Sequence, residues 1–149
     1  MPGSLLDASV WIAAAFTSHP FHHPARKTVQ QATPADPAVF CRSTEQSFLR
    51  LASTPALLKA YGATGLTNRD ALAALGAFLA LPQVCEREEP PGTSTLWHRL
   101  ASHDSALPKT WMDAYLAAFA INGGLRMVSL DQDFRNFVTK GLKLALIRS

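Results

Sequence analysis

Short apolar runs alternate along this chain with longer stretches patterned for helix, and that alternation limits the fold more than any other feature. Ser4-Leu5-Leu6 is apolar and stops at Asp7, and Val10 to Phe16 continues as helix. Ala38 to Cys41, Val84-Cys85, Arg126 to Leu130 and Leu144 to Ile147 are further candidate strands. Between them the pattern predicts helices over Pro24 to Ala32, Ser43 to Ser53, Asn68 to Leu81, Thr95 to His103 and Trp111 to Ile121, with a short one from Gln132 to Phe137. Strands alternating with helices argue an α/β fold around a mainly parallel sheet. Such sheets bind ligands outside the carboxyl ends of their strands, and Asp7 and Asp131 sit at two such ends.

The bulk properties narrow the class. A chain of 149 residues is one domain's worth and is able to bury its own core without disulfides or metal. Hydrophobic residues at 48% exclude disordered and fibrous classes. Cys41 and Cys85 form neither a CxxC nor a secreted disulfide framework, and read as free, buried thiols of a reducing cytoplasm. The apolar N-terminus lacks a basic segment and carries Asp7, so it does not read as a signal peptide. Apolar runs of this length are too short to span a bilayer. The expectation is a soluble, cytoplasmic, single-domain protein over 1–149, with Leu57 to Leu81 a possible helical hairpin inside it.

The carboxylates carry the chemistry. From Glu45, the apolar Phe48, Leu49 and Ala52 fall at i+3, i+4 and i+7. From Asp113, Leu116, Ala117, Ala120 and Ile121 repeat that spacing. Each acid therefore shares the buried stripe of its helix, where an unpaired charge is costly. Both are expected in the first turn of their helices, at one end of the sheet with Asp7 and Asp131. A capping role is the competing explanation for each: Asp7 and Asp131 before short helices, Ser43 with Gln46 and Thr110 with Asp113 as capping boxes. Four acids gathered at one place repel one another unless a cation neutralises them, and oxygen clusters suit Mg²⁺ or Mn²⁺. Those ions serve phosphoryl chemistry.

At this point the residues carry a resemblance. Leu5-Leu6-Asp7-Ala8-Ser9-Val10 resembles the opening of PIN domains. Asp113-Ala114-Tyr115-Leu116-Ala117-Ala118 is similar to their DAxLAA helix, and Val128-Ser129-Leu130-Asp131-Gln132-Asp133-Phe134 to their acidic turn. Phe40-Cys41-Arg42 through Phe48-Leu49-Arg50-Leu51 resembles the helix with the second acid in the VapC toxins of bacterial toxin–antitoxin modules, and His19-Pro20-Phe21-His22 a loop of that branch. The likeness spans nearly the whole chain. It implies a three-layer α/β/α fold with a mainly parallel sheet of four to five strands, and a Mg²⁺- or Mn²⁺-dependent endoribonuclease. It further implies that Asp7, Glu45, Asp113 and Asp131 are catalytic and that Asp7, Asp113, Asp131 and Asp133 serve the metal, with Asp131 and Asp133 alternative inner ligands. Ser9 and Ser129 match the small polar positions that orient the acids, Ser9 standing where the family more often has Asn. The implied partners are a VapB-type antitoxin, a structured RNA (tRNA or rRNA) and a second copy in a homodimer, with no membrane.

Set aside the five motif acids and six others remain against 14 Lys and Arg, a balance of +8 hidden inside a net charge of +3. A basic body around an acidic pocket suits a polyanion. Arg42, Arg50, Lys109 and Arg135 lie nearest the motifs and are the candidates for RNA phosphate contacts. His19, His22 and His23 complete no zinc pattern. Trp11, Trp97 and Trp111 read as core or interface aromatics rather than stacking platforms. Two other readings stand beside the toxin: a PIN nuclease outside any toxin–antitoxin system, and a catalytically inactive PIN-like binding module, against which the complete set of acids argues. A receiver domain would need paired acids after its first strand, and no glycine-rich phosphate cradle is present.

Overall fold

The computed structural model describes residues 3–148; the expectations for Met1, Pro2 and Ser149 at the ends of the domain lie outside them. The order of elements is β1 Ser4–Leu6, α1 Ala8–Ala15, α2 His22–Gln31, β2 Ala38–Phe40, α3 Arg42–Ala52, α4 Pro55–Ala60, α5 Asn68–Leu79, β3 Val84–Glu86, α6 Thr93–Ala101, α7 Pro108–Gly123, β4 Arg126–Ser129, a 3-10 helix Gln132–Lys140, and β5 Leu144–Leu146. All five strands are parallel, in the order β3-β2-β1-β4-β5. The sheet is thus wholly parallel, at the upper end of the expected strand number.

Alternation along each strand sends neighbouring side chains to opposite faces and builds two cores. Leu6, Phe40, Val84 and Val128 point to one face and pack with α1, α2, α3 and α5. Leu5, Val39 and Met127 point to the other, against α6, α7 and the 3-10 helix. That is the three-layer α/β/α arrangement. On the first face Trp11 is fully buried, stacks on Phe40 with ring centroids 3.9 Å apart, and donates its indole N–H to the Leu6 carbonyl at 3.1 Å. A fully buried side chain of this kind contributes roughly 1.5–3 kcal/mol or more by removal of apolar area from water.

The chain begins in the middle of the sheet, lays β2 and β3 to one side, and returns to lay β4 and β5 on the other. The order therefore switches direction between β1 and β4. In open parallel sheets the crevice at such a switch, beyond the carboxyl ends of the strands, is the usual ligand site. Asp7 follows β1 directly, and Asp131 follows β4 by two residues.

Several local expectations are corrected. The cap of α3 is Cys41, not Ser43, and the reciprocal partner is Thr44, whose hydroxyl accepts the Cys41 N–H at 2.9 Å. Helix α7 begins at Pro108, so Thr110 caps nothing and Asp113 stands in the second turn. Proline at the first helical position costs no hydrogen bond, which is why the helix starts that early. Gly124, at φ +65°, closes α7 and feeds the chain straight into β4. Helices α4 and α5 fill most of the Leu57–Leu81 stretch, and both lean on α3. Cys41 is buried and Cys85 only half-buried; both are free. Among the described residues no helix is long and apolar enough to cross a membrane.

Candidate active site

At the switch point, two serines tie Asp7 to the acidic turn. Asp7 occupies the cap position of α1 but makes no side-chain cap bond. Its Oδ2 instead accepts the hydroxyls of Ser9 and Ser129, each at 2.9 Å. Ser129 accepts in turn the N–H of Asp131 at 2.9 Å, and Asp131 Oδ1 accepts the N–H of Asp133 at 2.9 Å. The Ser9 hydroxyl also accepts the Leu130 N–H, at 3.5 Å. Each hydroxyl thus donates to the carboxylate and accepts from the turn, so a serine at position 9 serves as both halves of the link.

Asp113, Asp131 and Asp133 converge from α7 and the turn, each with one oxygen within 4.8 Å of the others. The Lys109 ammonium lies among them, 3.1 Å from Asp113, 2.5 Å from Asp131 and 2.8 Å from Asp133. Electrostatics follow from this geometry. Burial pushes the Asp7 carboxyl above its ordinary value, and its two hydroxyl donors only partly offset that. Asp113 is also raised by burial, with the charges of Asp131 and Asp7 adding to it against Lys109. Burial acts upward on Asp131 too, but Lys109 and the Asp133 N–H outweigh it and hold this acid below the usual range. Burial disfavours the Lys109 charge, yet three carboxylate bonds hold the ammonium firmly protonated.

An octahedral ion with oxygens at about 2.1 Å needs ligand oxygens separated by about 3 Å at neighbouring positions and about 4 Å across. The oxygens of the three carboxylates, inside 4.8 Å of one another, come within a small side-chain adjustment of that spacing, and an all-oxygen donor set suits such an ion. Asp7, one hydrogen-bonded hydroxyl away from the Asp131 N–H, stands beside them.

Glu45 is placed differently. It is the fourth residue of α3 and 6% exposed, and its nearest charged neighbours are Glu86 at the end of β3 and Arg42. Arg42 reaches its Oε1 at 3.8 Å, while Oε2 is buried and, among the described residues, without a hydrogen-bond partner. Burial, then the adjacent Glu86, pushes Glu45 up to about 7. The fold brings Asp113, Asp131 and Asp133 together with Asp7 beside them, and sets Glu45 in a pair with Glu86.

The PIN-domain family model matches residues 4–139. Ribonuclease VapC41 of Mycobacterium tuberculosis is 40% identical over 144 residues, 96% of this chain and 97% of that protein. This chain belongs to the PIN-domain family, among its VapC ribonucleases. Two solved structures agree on the fold. VapBC2 from Rickettsia felis, bound to a DNA fragment from its promoter, superposes with TM-score 0.68 at 11% identity, covering 97% of this chain and 98% of that one. VapC20 of M. tuberculosis, a sarcin–ricin loop cleaving toxin, gives 0.59 at 18% identity, covering 93% and 95%. PIN-domain nucleases generally use a divalent metal, and the acidic cluster of this one is the matching feature.

The basic candidates of this PIN domain separate on the structure. Lys109 is held by the carboxylates. Arg42 is well exposed at the start of α3 and leans on Glu45. Arg50 is exposed near the far end of the same helix, about 12 Å further along its axis at 1.5 Å per residue. Arg135 bonds Gln132 at 3.4 Å. What sequence reasoning missed is a groove of about 990 Å³ that runs from Asp113 and Asp133 between α6, α7 and the 3-10 helix. Arg99, His103 and Lys140 line it, and none of them is in an ion pair among the described residues. A second groove of about 640 Å³, around Glu45, carries Glu86, Glu88 and Glu89 against Arg42 and Arg87. No spacing rule joins α6 to the 3-10 helix, so the basic groove had no signal in the sequence. The i, i+4 pair of Lys109 and Asp113 was the one trace of the ammonium's place.

Proposed function

We propose that this chain is a metal-dependent endoribonuclease, the toxin of a toxin–antitoxin module, acting as a single PIN domain on structured RNA. The observation that carries the reading is the convergence of Asp113, Asp131 and Asp133 beside Asp7 at the switch point of a parallel sheet. In it, Asp7, Asp113, Asp131 and Asp133 hold Mg²⁺ or Mn²⁺, directly or through water. When bound, such an ion supplies Lewis acidity, making water a nucleophile at neutral pH and offsetting charge on the phosphodiester. The protein's own part is placement. Ser9 and Ser129 fix one oxygen of Asp7 and so orient the carboxylate. The Asp133 N–H fixes Asp131 in the same way. Glu45, its Oε2 unpaired and its proton affinity raised towards neutrality, serves as a proton acceptor or donor at the edge of the site.

The RNA runs along the basic groove, where Arg99, His103 and Lys140 meet phosphates and the apolar Leu100 and Phe137 floor them. The groove around Glu45, with Glu86, Glu88 and Glu89 on its wall, suits a basic side chain of an antitoxin of the VapB type. Leu107, Trp111 and Met112, exposed at the start of α7, supply apolar surface for that partner or for a second copy in a homodimer.

The test is cleavage of total bacterial RNA by purified protein with and without Mn²⁺. Wild-type protein is expected to cleave only with the ion, and Asp113→Asn to lose cleavage by at least about a hundredfold with an unchanged circular dichroism spectrum. Cleavage undiminished in excess EDTA overturns the reading.

A further inference from the structure

Lys109 stands where helix energetics do not favour a lysine. It is the second residue of α7, in the turn where the helix dipole disfavours positive charge. Its bond to Asp113 is an i, i+4 pair with the cation on the N-terminal side, the weaker of the two orientations. Its place is explained by the carboxylates instead: three of them, from two elements, all within 3.1 Å of one ammonium. Without a cation these acids repel one another. The side chain is nonetheless 59% exposed and lines the basic groove as well as the acidic cluster. A lysine so placed is close enough to the groove for rotation of its flexible stem to carry the ammonium there.

We propose that Lys109 is the exchangeable counter-ion of this site: its ammonium holds the three aspartates together until a divalent cation displaces it, and the displaced side chain turns into the groove that leads away from them. The role rests on the metal site described above and adds a competition within it. A +1 charge satisfies three carboxylates incompletely, so the ion wins once its concentration is sufficient. The metal-free site stays ordered meanwhile, and the displaced ammonium joins Arg99, His103 and Lys140 where RNA phosphates pass. Metal and RNA therefore favour the same position of Lys109, so each strengthens binding of the other.

The experiment is calorimetric titration of Mn²⁺ into the metal-free, full-length protein, with no RNA present. If the ammonium leaves the acids about a tenth of the time, Lys109→Met binds Mn²⁺ about tenfold more tightly than wild type. Lys109→Arg, which keeps the charge, stays within about threefold, and Lys140→Met, which removes a groove cation bonded to no acid among the described residues, within about twofold because solvent screens it. Thermal unfolding gives a second reading: metal-free Lys109→Met melts below wild type, and Mn²⁺ raises its midpoint by more. Equal or weaker Mn²⁺ binding by Lys109→Met overturns the proposal, and so does an equal gain in Lys140→Met, which assigns the effect to net charge. Asp113→Asn separates this failure from that of the metal site. If it loses Mn²⁺ binding while Lys109→Met gains nothing, the site stands and the role of Lys109 falls. If it binds as wild type does, or if no variant binds, both fall.

Discussion

Ser129, fully buried at the end of β4, donates its hydroxyl to Asp7 beyond the end of β1, 122 positions away in sequence and 2.9 Å away in space. The same oxygen receives the Asp131 N–H. One atom thus sets the orientation of an acid on one strand and the path of the acidic turn on its neighbour. Ser129→Ala removes both bonds and leaves a part-buried N–H unpaired. The expected result is a loss of about 1–3 kcal/mol in unfolding free energy and a fall of about 10–100-fold in Mn²⁺ affinity or RNA cleavage. Urea titration and calorimetry measure the two. A variant as stable and as active as wild type shows that the serine orients nothing.

Glu45 ties stability to pH. Its folded value of about 7 lies above its ordinary 4.5, raised by burial and by Glu86. Between those values the native state binds more protons than the unfolded chain, so stability declines as pH rises through the window. Asp7 and Asp113, also raised, act in the same sense, and Asp131, held low, acts oppositely. Metal-free wild type is therefore expected to lose stability relative to Glu45→Gln between about pH 4.5 and 7. Glu86→Gln, which removes the adjacent acid, should flatten that decline. Denaturant unfolding at several pH values decides it, and a constant difference between wild type and Glu45→Gln would refute it.

Much of this was legible because the signals were local. Leu5-Leu6-Asp7 and Val128 to Asp133 announce strand, stop and acidic turn within a few residues. The DAxLAA run places Asp113 on a buried stripe whichever turn it occupies. The errors have equally local causes. Thr44, not an acid or amide, bonds back to the Cys41 N–H, and Pro108 starts α7 a turn early. What no pattern encoded is what the sheet order brings together. Glu86 meets Glu45 because β3 lies beside β2, and Lys140 shares a groove with Arg99 because the 3-10 helix and α6 both flank it. Lys109 was marked as a phosphate ligand on nearness in sequence; only the folded turn shows the three acids around it.

The basic groove predicts a salt signature. Arg99→Ala and Lys140→Ala each remove one phosphate contact, so each should weaken RNA binding across unrelated sequences and reduce the slope of log affinity against log salt by about 1. Arg50→Ala, far along α3, should change neither. Fluorescence anisotropy with a labelled RNA in EDTA, over a range of KCl, measures this without cleavage. Equal slopes for all three variants place the RNA elsewhere.

The last prediction concerns the support under Asp7. Trp11 packs on Phe40 and Phe78, and its indole N–H bonds the carbonyl of Leu6, the residue just before Asp7. Trp11→Ala opens a large cavity with no solvent path and is expected to cost about 3–5 kcal/mol, enough to unfold a marginal domain. Trp11→Phe keeps one aromatic ring in the core but loses the pyrrole half of the indole with its N–H, leaving the Leu6 carbonyl short of a partner at a cost of about 1–3 kcal/mol besides the smaller cavity. Because that carbonyl anchors the end of β1, the Phe variant should also lose cleavage under conditions where it is fully folded. Thermal melts and RNA cleavage on the same preparation separate the two effects. If Trp11→Phe melts lower yet cleaves at the wild-type rate when folded, the indole bond supports the core alone and Asp7 is held by its serines.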